Sequence, residues 1–228
     1  MPATPSTPAL KGETNIEDPG RGGQAIARRS AEARATVPDV ELGMIVDAQP
    51  MIDLARKGNC SHTAVLLRAC AVALRESPRV NAAYRDGRFE LYSRVNVGVT
   101  VVTDDGLLTP AVLDADTKSL GQLSTEIDQL TRRARAGELT PPEQAGVTFT
   151  LSDLGELGVH RWSQPLLPPQ AATLTAGAVR DAAVVRHGRL AAGRELFIVL
   201  ACDHRILFGA RAARFLTCVA QLLESPRQ

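Results

Sequence analysis

The stretch Cys202-Asp203-His204-Arg205-Ile206-Leu207-Phe208-Gly209-Ala210 separates two segments of different periodicity near the C-terminus. The residues before it, Leu196-Phe197-Ile198-Val199-Leu200-Ala201, are apolar and rich in β-branched side chains, which predicts a buried strand. The residues after it, 210–223, carry apolar side chains at helical spacing. His204 is therefore expected where a buried strand gives way to a helix. Such a position suits a catalytic side chain, because the strand fixes the backbone, and it also suits a solvated turn.

Outward from this stretch, the sequence alternates predicted helices and strands. Helices are expected at 24–35, 63–74 and 119–136, the last with Ser119 as its N-cap and Gly137 as its C-terminal stop. Strands are expected at 40–48, 89–92, 95–102, 171–178 and 195–201, with a turn at Asp104-Asp105-Gly106 and an exposed hairpin at 181–193. Residues 1–20 are rich in Pro, Gly, Thr and Ser and are expected to be disordered, which leaves 21–228 as one domain.

Composition excludes several classes of function. The formal net charge of +1 gives no reason to expect a nucleic-acid or anionic-membrane surface. The four cysteines show no CxxC spacing, and no cluster of histidines and cysteines predicts a metal site. Without an apolar run long enough to span a bilayer or a signal peptide, we expect a cytoplasmic protein. His62, His160 and His187 lie in polar contexts that indicate surface positions.

A second chemical stretch, Val147-Thr148-Phe149-Thr150-Leu151-Ser152-Asp153-Leu154-Gly155, lies 52 positions before the first when Ser152 and His204 are compared. Taken alone, Ser152 fits two roles. It can be a hydroxyl donor to a developing negative charge, or it can cap the end of a strand. Cys202, two residues before His204, is expected to pack in the core, with a covalent nucleophile as the alternative.

These two stretches resemble motifs of the catalytic domain of dihydrolipoyl acyltransferases, the E2 components of 2-oxo acid dehydrogenase complexes. The first resembles the family signature around His-x-x-x-Asp-Gly, and the second resembles Thr-Phe-Thr-x-Ser-Asn-Leu-Gly. The resemblance implies an α/β, chloramphenicol acetyltransferase-like two-layer fold with a large mixed β-sheet flanked by helices. It also implies that His204 is the general base and that Ser152 donates a hydrogen bond to the oxyanion.

The chain departs from the family pattern at two positions that form an ion pair in the acetyltransferase relatives. Phe208 stands where the family has Asp, and Gly23 stands where the opening helix of the family has Arg. Removing one member of an ion pair is costly, whereas replacing both by apolar residues can be neutral. We therefore expect Phe208 to pack behind the catalytic loop. If Phe208 and Gly23 face each other, Gly23→Arg should recover part of what Phe208→Asp loses.

The resemblance also implies the substrates and the assembly. The donor is expected to be acetyl-coenzyme A, used as a co-substrate, with no tightly bound cofactor. The expected assembly is a homotrimer with the active-site channel between subunits, so that His204 and Ser152 can come from different chains. A larger cage is not expected, because the chain ends without an apolar tail.

The acceptor is the least specified part of this interpretation. Free-standing relatives indicate a primary hydroxyl of a tetronate-type polyketide intermediate. One alternative is a detached E2 core that acylates dihydrolipoamide. Another is a non-catalytic E2-like assembly protein, which the replacement of the family Asp by Phe208 would favour.

Overall fold

The computed structural model describes residues 12, 14–103, 106–186 and 188–226. Within these residues the helices are α1 (Arg21–Thr36), α2 (Gln49–Gly58), α3 (His62–Glu76), α4 (Leu120–Ala136), α5 (Pro141–Ala145) and α6 (Gly209–Glu224). The strands are β1 (Asp39–Asp47), β2 (Ala82–Arg85), β3 (Arg88–Leu91), β4 (Val97–Val99), β5 (Val101–Thr103), β6 (Gly106–Leu108), β7 (Ala111–Val112), β8 (Phe149–Asp153), β9 (Ala172–Ala176), β10 (Arg180–Arg186) and β11 (Arg189–Asp203).

The strand that leads to His204, β11, lies between β1 and β9 in a mixed sheet. Its strands follow the order β1-β11-β9-β8-β4-β7, and β10 pairs with the first half of β11 as a hairpin. β8 runs parallel to both β9 and β4, whereas the other pairings in this sheet are antiparallel. The expected α/β fold with a large mixed sheet is confirmed, and the helices α2, α3, α4 and α6 supply apolar side chains to the core that covers one face.

The two faces of the sheet differ in chemistry because successive residues of a strand point to opposite sides. On the helical face, β11 contributes Ile198, Leu200 and Cys202 to the apolar core. On the other face the central strands present hydroxyl groups, all of them buried: Thr150, Ser152, Thr173 and Thr175. The predicted catalytic serine therefore lies on the polar face of the sheet, away from the main core.

Most predicted elements are confirmed, including the helix that Ser119 begins. The Ser119 side chain accepts a hydrogen bond from the Gln122 backbone N–H, and the Gln122 side-chain oxygen accepts one from the Ser119 backbone N–H. Gly137 ends α4 at φ 72°. The helix α2 was not predicted. The single strand predicted at 95–102 is wrong, because the chain leaves the sheet at Thr100 and continues as β5, which pairs with β6.

Two predictions fall outside the described residues in whole or in part. The turn at Asp104 and Asp105 lies outside them, as does most of the N-terminal segment for which disorder was predicted. Residues 14–20 are described and form neither helix nor strand. Among the described residues, no helix combines the length and apolarity needed to cross a lipid bilayer.

Candidate functional site

His204 lies in a turn that is held on both sides by main-chain hydrogen bonds. β11 ends at Asp203, whose backbone N–H donates to the Ala171 carbonyl at 2.8 Å, and the His204 N–H donates to the Pro38 carbonyl at 2.9 Å. Ile206 and Leu207 are buried immediately afterwards and anchor the turn to the core. The imidazole itself is exposed. The predicted junction between strand and helix is confirmed, and it presents the ring to an incoming ligand.

One ion pair, between the two residues that flank His204, fixes the shape of this turn. The Arg205 guanidinium donates to the buried Asp203 carboxylate from Nε to Oδ1 at 3.0 Å and from Nη2 to Oδ2 at 2.7 Å. The same guanidinium lies 4.6 Å from the centre of the Tyr84 ring. Hydrogen bonding to Asp203 raises the pKa of Arg205. In the sequence this pair is visible only as an acidic and a basic residue two positions apart, and the bidentate contact was not predicted.

We expect the Asp203→Asn variant to unfold more easily than the wild type, by about 1–3 kcal/mol, because the Arg205 guanidinium loses a charged, buried acceptor. The measurement is urea denaturation followed by circular dichroism. Asp181→Asn is the matched control. Asp181 pairs with Arg194 at 3.3 Å on the surface, where an ion pair contributes little. Equal losses in the two variants would contradict a structural role for the Asp203–Arg205 pair.

Ser152 lies near the end of β8, directly opposite Thr175 of β9. Its side chain is fully buried, and its Oγ is among the few buried polar atoms of the described residues that have no hydrogen-bond partner. A buried hydroxyl without a partner is unfavourable for folding, so such groups are found where a ligand or a reaction needs them. The alternative role as a strand cap has no support, because the hydroxyl makes no bond to the backbone.

The segment 159–170 lies over the polar face of the sheet beside Ser152. The Thr175 hydroxyl donates to the Trp162 carbonyl at 2.6 Å, and the Gln164 side-chain amide donates to the Thr173 hydroxyl at 3.2 Å. A Cβ on Gly177 would lie only 1.9 Å from the His160 carbonyl oxygen, so the close approach of this segment requires glycine there. The serine hydroxyl therefore lies in a covered, polar layer.

The structure does not bring Ser152 and His204 together within one chain. Ser152 is opposite Thr175, and Thr175 is opposite Val199, which precedes His204 by five residues along β11. Ser152 and His204 are thus separated by two inter-strand spacings across the sheet and by the rise of five residues along a strand. Together these give a distance of roughly 20 Å between the two residues. A base and an oxyanion donor that act on the same carbonyl must both lie within about 3 Å of reacting atoms. The two residues of one chain therefore cannot serve the same reaction centre.

Phe208 is not packed behind the loop, and this prediction is wrong. Its side chain is 61% exposed, and its ring stands edge-to-face to the His204 imidazole with the ring centres 6.0 Å apart. The physical reason is that Ile206 and Leu207 already occupy the buried positions of the loop, which leaves residue 208 on the outside.

Gly23 does not face Phe208 within one chain. It lies in the first turn of α1, and the His204 turn is bonded to Pro38, just beyond the other end of that helix. From Gly23 to Thr36 the helix rises roughly 20 Å. The two departures from the family pattern are therefore far apart in a single subunit.

Asp153, next to Ser152, is a partly buried carboxylate at a position where the family pattern has Asn. Its Oδ2 accepts a hydrogen bond from the Thr63 hydroxyl at 2.9 Å, and its Oδ1 accepts one from the Gly155 N–H at 2.9 Å. Burial raises the pKa of Asp153 above its usual value. Sequence reasoning did not single it out, although an acidic residue in place of the family amide was the available signal.

A pH dependence of stability follows from Asp153. Because its pKa is raised on folding, the native state binds more protons than the unfolded state, and the free energy of unfolding falls as pH rises from the unfolded pKa through the folded one. We expect Asp153→Asn to remove this fall and to increase stability at neutral pH, since a neutral amide keeps two hydrogen bonds. Thermal denaturation between pH 4 and pH 8 measures the slope. A slope that is the same in both proteins would contradict the assignment.

Cys202 does not support the covalent alternative. It is fully buried on the helical face, and desolvation raises the pKa of its thiol to about 12, so the nucleophilic thiolate is not formed at neutral pH. Across the described ranges, no group of three or more His, Cys, Asp and Glu side chains is arranged to hold a metal ion. His62 and His160 are exposed, and His187 lies outside the described residues.

Comparisons with known proteins agree with this geometry. Residues 18–228 match the family of 2-oxoacid dehydrogenases acyltransferase (catalytic domain). The dihydrolipoyllysine-residue acetyltransferase component of the pyruvate dehydrogenase complex from Rickettsia bellii is 31% identical over 211 residues, which are 88% of this chain and 50% of that protein. The chloroplastic component 5 from Arabidopsis thaliana is 35% identical, over 89% of this chain and 44% of its own length. The chain thus spans about half the length of these relatives.

Solved structures show the same relationship. The dihydrolipoamide acetyltransferase of Azotobacter vinelandii superposes with a TM-score of 0.90 at 28% identity, covering 99% of this chain and 97% of that one. Chloramphenicol acetyltransferase superposes with a TM-score of 0.58 at 18% identity over 86% and 94% of the two chains, which shows a shared fold. The chain therefore belongs to the catalytic-domain family of 2-oxoacid dehydrogenase acyltransferases and is an acyltransferase of the E2 catalytic-core type.

Proposed function

We propose that this protein, through residues 21–228 as one catalytic domain, transfers an acetyl group between a coenzyme A thioester and an acceptor thiol or hydroxyl. His204 takes the proton from the acceptor as its sulfur or oxygen attacks the thioester carbonyl. The Ser152 hydroxyl donates a hydrogen bond to the oxyanion of the tetrahedral intermediate. Collapse of the intermediate breaks the bond to the coenzyme A sulfur, and the departing thiolate takes the proton from His204.

The spacing of the site residues carries this proposal. In the Azotobacter vinelandii acetyltransferase, a serine, a histidine and an asparagine were investigated for their roles in the catalytic mechanism, and the serine precedes the histidine by 52 positions. Ser152 precedes His204 by the same interval on the same fold. The asparagine follows the histidine by four positions, and that place in this chain is held by Phe208.

We further propose that the site is completed between subunits of a homotrimer. The distance of roughly 20 Å between Ser152 and His204 in one chain requires that each reaction centre combine the serine of one subunit with the histidine of its neighbour. Assembly of a relative supports this: the cubic core of a pyruvate dehydrogenase multienzyme complex superposes on this chain with a TM-score of 0.90 at 28% identity. A symmetric closed assembly places equivalent sites at each interface.

The acceptor that the comparisons support best is a dihydrolipoyl thiol, because the curated relatives are acetyltransferase components that act on dihydrolipoyllysine residues. This was the alternative of the sequence analysis. The primary hydroxyl of a tetronate-type intermediate is the second candidate. The one observation that favours it is Phe208, which changes the surface beside the base relative to the Azotobacter vinelandii enzyme.

The test is release of coenzyme A from acetyl-coenzyme A, with products identified by mass spectrometry. One reaction contains dihydrolipoamide and a parallel reaction contains a 5-hydroxymethyl tetronate. We expect S-acetyldihydrolipoamide as the principal product. Acetylation of the tetronate alone would establish the second candidate instead. Coenzyme A release no faster than hydrolysis with both acceptors would contradict the catalytic proposal and favour the non-catalytic assembly protein.

A further inference from the structure

Phenylalanine is an unfavourable residue for position 208, both as a helix N-cap and because its ring is exposed. Residue 208 is the N-cap of α6, and its carbonyl accepts hydrogen bonds from the Arg211 and Ala212 N–H groups at 2.8 and 3.1 Å. Asn, Asp, Ser and Thr are the residues that stabilise this position, because their side chains bond the first free N–H groups of the helix. Phe208 makes no such bond, and in the single chain the residue is 61% exposed. A local rule that is broken in this way, next to a reactive side chain, points to function.

The backbone of Phe208 is held in place by buried neighbours. Leu207 before it and Ala212 after it are both buried in the core, so the backbone of the loop cannot rotate the ring inwards without unpacking them. The ring stands at 80° to the His204 imidazole, with the centres 6.0 Å apart. The first two residues of α6, Gly209 and Ala210, add no charge and little bulk. On the side of Phe208, the surface beside the imidazole is therefore apolar.

A general base contacts the acceptor, because it must lie within hydrogen-bond reach of the proton that it removes. A side chain beside that base then contacts the acceptor atoms that adjoin the reacting sulfur or oxygen. We infer that Phe208 is a specificity-determining residue, which favours acceptors that carry an apolar or aromatic group next to the reacting thiol or hydroxyl. This inference rests on the proposed role of His204 as the base.

The test compares two acceptors with the same reacting group, benzyl mercaptan and 2-mercaptoethanol, with acetyl-coenzyme A as donor. We expect Phe208→Asn to lower the ratio of their kcat/KM values by about three- to tenfold, the effect of losing one aromatic contact. The KM for acetyl-coenzyme A should stay unchanged. Asn is a preferred N-cap, so this variant is expected to fold. Val185→Asn, which also removes an exposed apolar side chain but on β10, is the matched control and should keep the wild-type ratio.

A binding measurement separates this inference from the proposed reaction. Benzyl alcohol is titrated into the protein, and the imidazole signals of His204 are followed by NMR, with His204→Ala used to assign them. We expect benzyl alcohol to change the chemical shifts of these signals in the wild type. At equal concentration, the change in Phe208→Asn should be at most one third as large. If the wild type acylates no acceptor, the proposed function fails and this titration alone decides the inference. An unchanged ratio with an unchanged titration, or loss of the oligomer in Phe208→Asn by light scattering, would overturn it.

Discussion

The His204→Ala variant is expected to lose about 10²- to 10⁴-fold in kcat, which is the usual effect of removing a positioned general base. The loss should fall on kcat and leave the KM for acetyl-coenzyme A nearly unchanged. Its fold should persist, because the exposed imidazole contributes no buried contact and the turn is held by the His204 backbone N–H, which alanine retains. Steady-state kinetics and thermal denaturation measure the two effects.

Two controls distinguish a catalytic role of His204 from a structural one. His62→Ala removes another exposed imidazole and should keep wild-type turnover. Free imidazole added to His204→Ala should restore part of the rate, because the ring of His204 is open to solvent and a small base can enter its place. Wild-type turnover in a folded His204→Ala protein would refute the assignment of the base.

The Ser152→Ala variant is expected to lose about 10²- to 10³-fold in kcat, because one preorganised donor to the oxyanion is removed. Unlike most buried polar substitutions, it should not destabilise the protein. The Ser152 hydroxyl is buried without a partner, so its removal relieves a desolvation penalty and leaves no other group unpaired. Single-turnover kinetics and urea denaturation together test this combination of a large loss in rate and an unchanged or higher stability.

Thr175→Val is the matched control for Ser152→Ala, since Thr175 is the direct neighbour of Ser152 on the same face of the sheet. Its hydroxyl is bonded to the Trp162 carbonyl at 2.6 Å, so Thr175→Val should lower stability. If Ser152→Ala instead weakens acetyl-coenzyme A binding while kcat at saturation is unchanged, Ser152 is a binding residue and the oxyanion assignment is wrong.

The parts of the fold that could be predicted from sequence are those in which local signals agree with tertiary contacts. The apolar run before His204 forms the buried second half of β11, and the Ser119 capping box and Gly137 fix the two ends of α4. The long predicted strand 95–102 failed because an apolar run does not reveal where a chain leaves one sheet to form another.

In the candidate site, too, some features could be predicted from the sequence and others could not. Motif spacing identified Ser152 and His204, but spacing along the chain could not show that the two lie roughly 20 Å apart in one subunit, since this depends on strand order and register. The prediction for Phe208 failed for a related reason. An apolar residue was assumed to be buried, while Ile206 and Leu207 had already filled the interior of the loop.

The measurement that tests the shared site most directly is complementation between the two inactive variants. His204→Ala and Ser152→Ala chains are co-expressed with different tags in equal amounts, and mixed oligomers that carry both tags are purified. Every mixed trimer contains one interface of its three that combines an intact histidine with an intact serine, so about a third of wild-type activity should return. Mixing the separately folded, non-exchanging proteins should restore none. Mixed oligomers as inactive as either parent would show that the two residues do not serve one reaction centre between neighbouring chains.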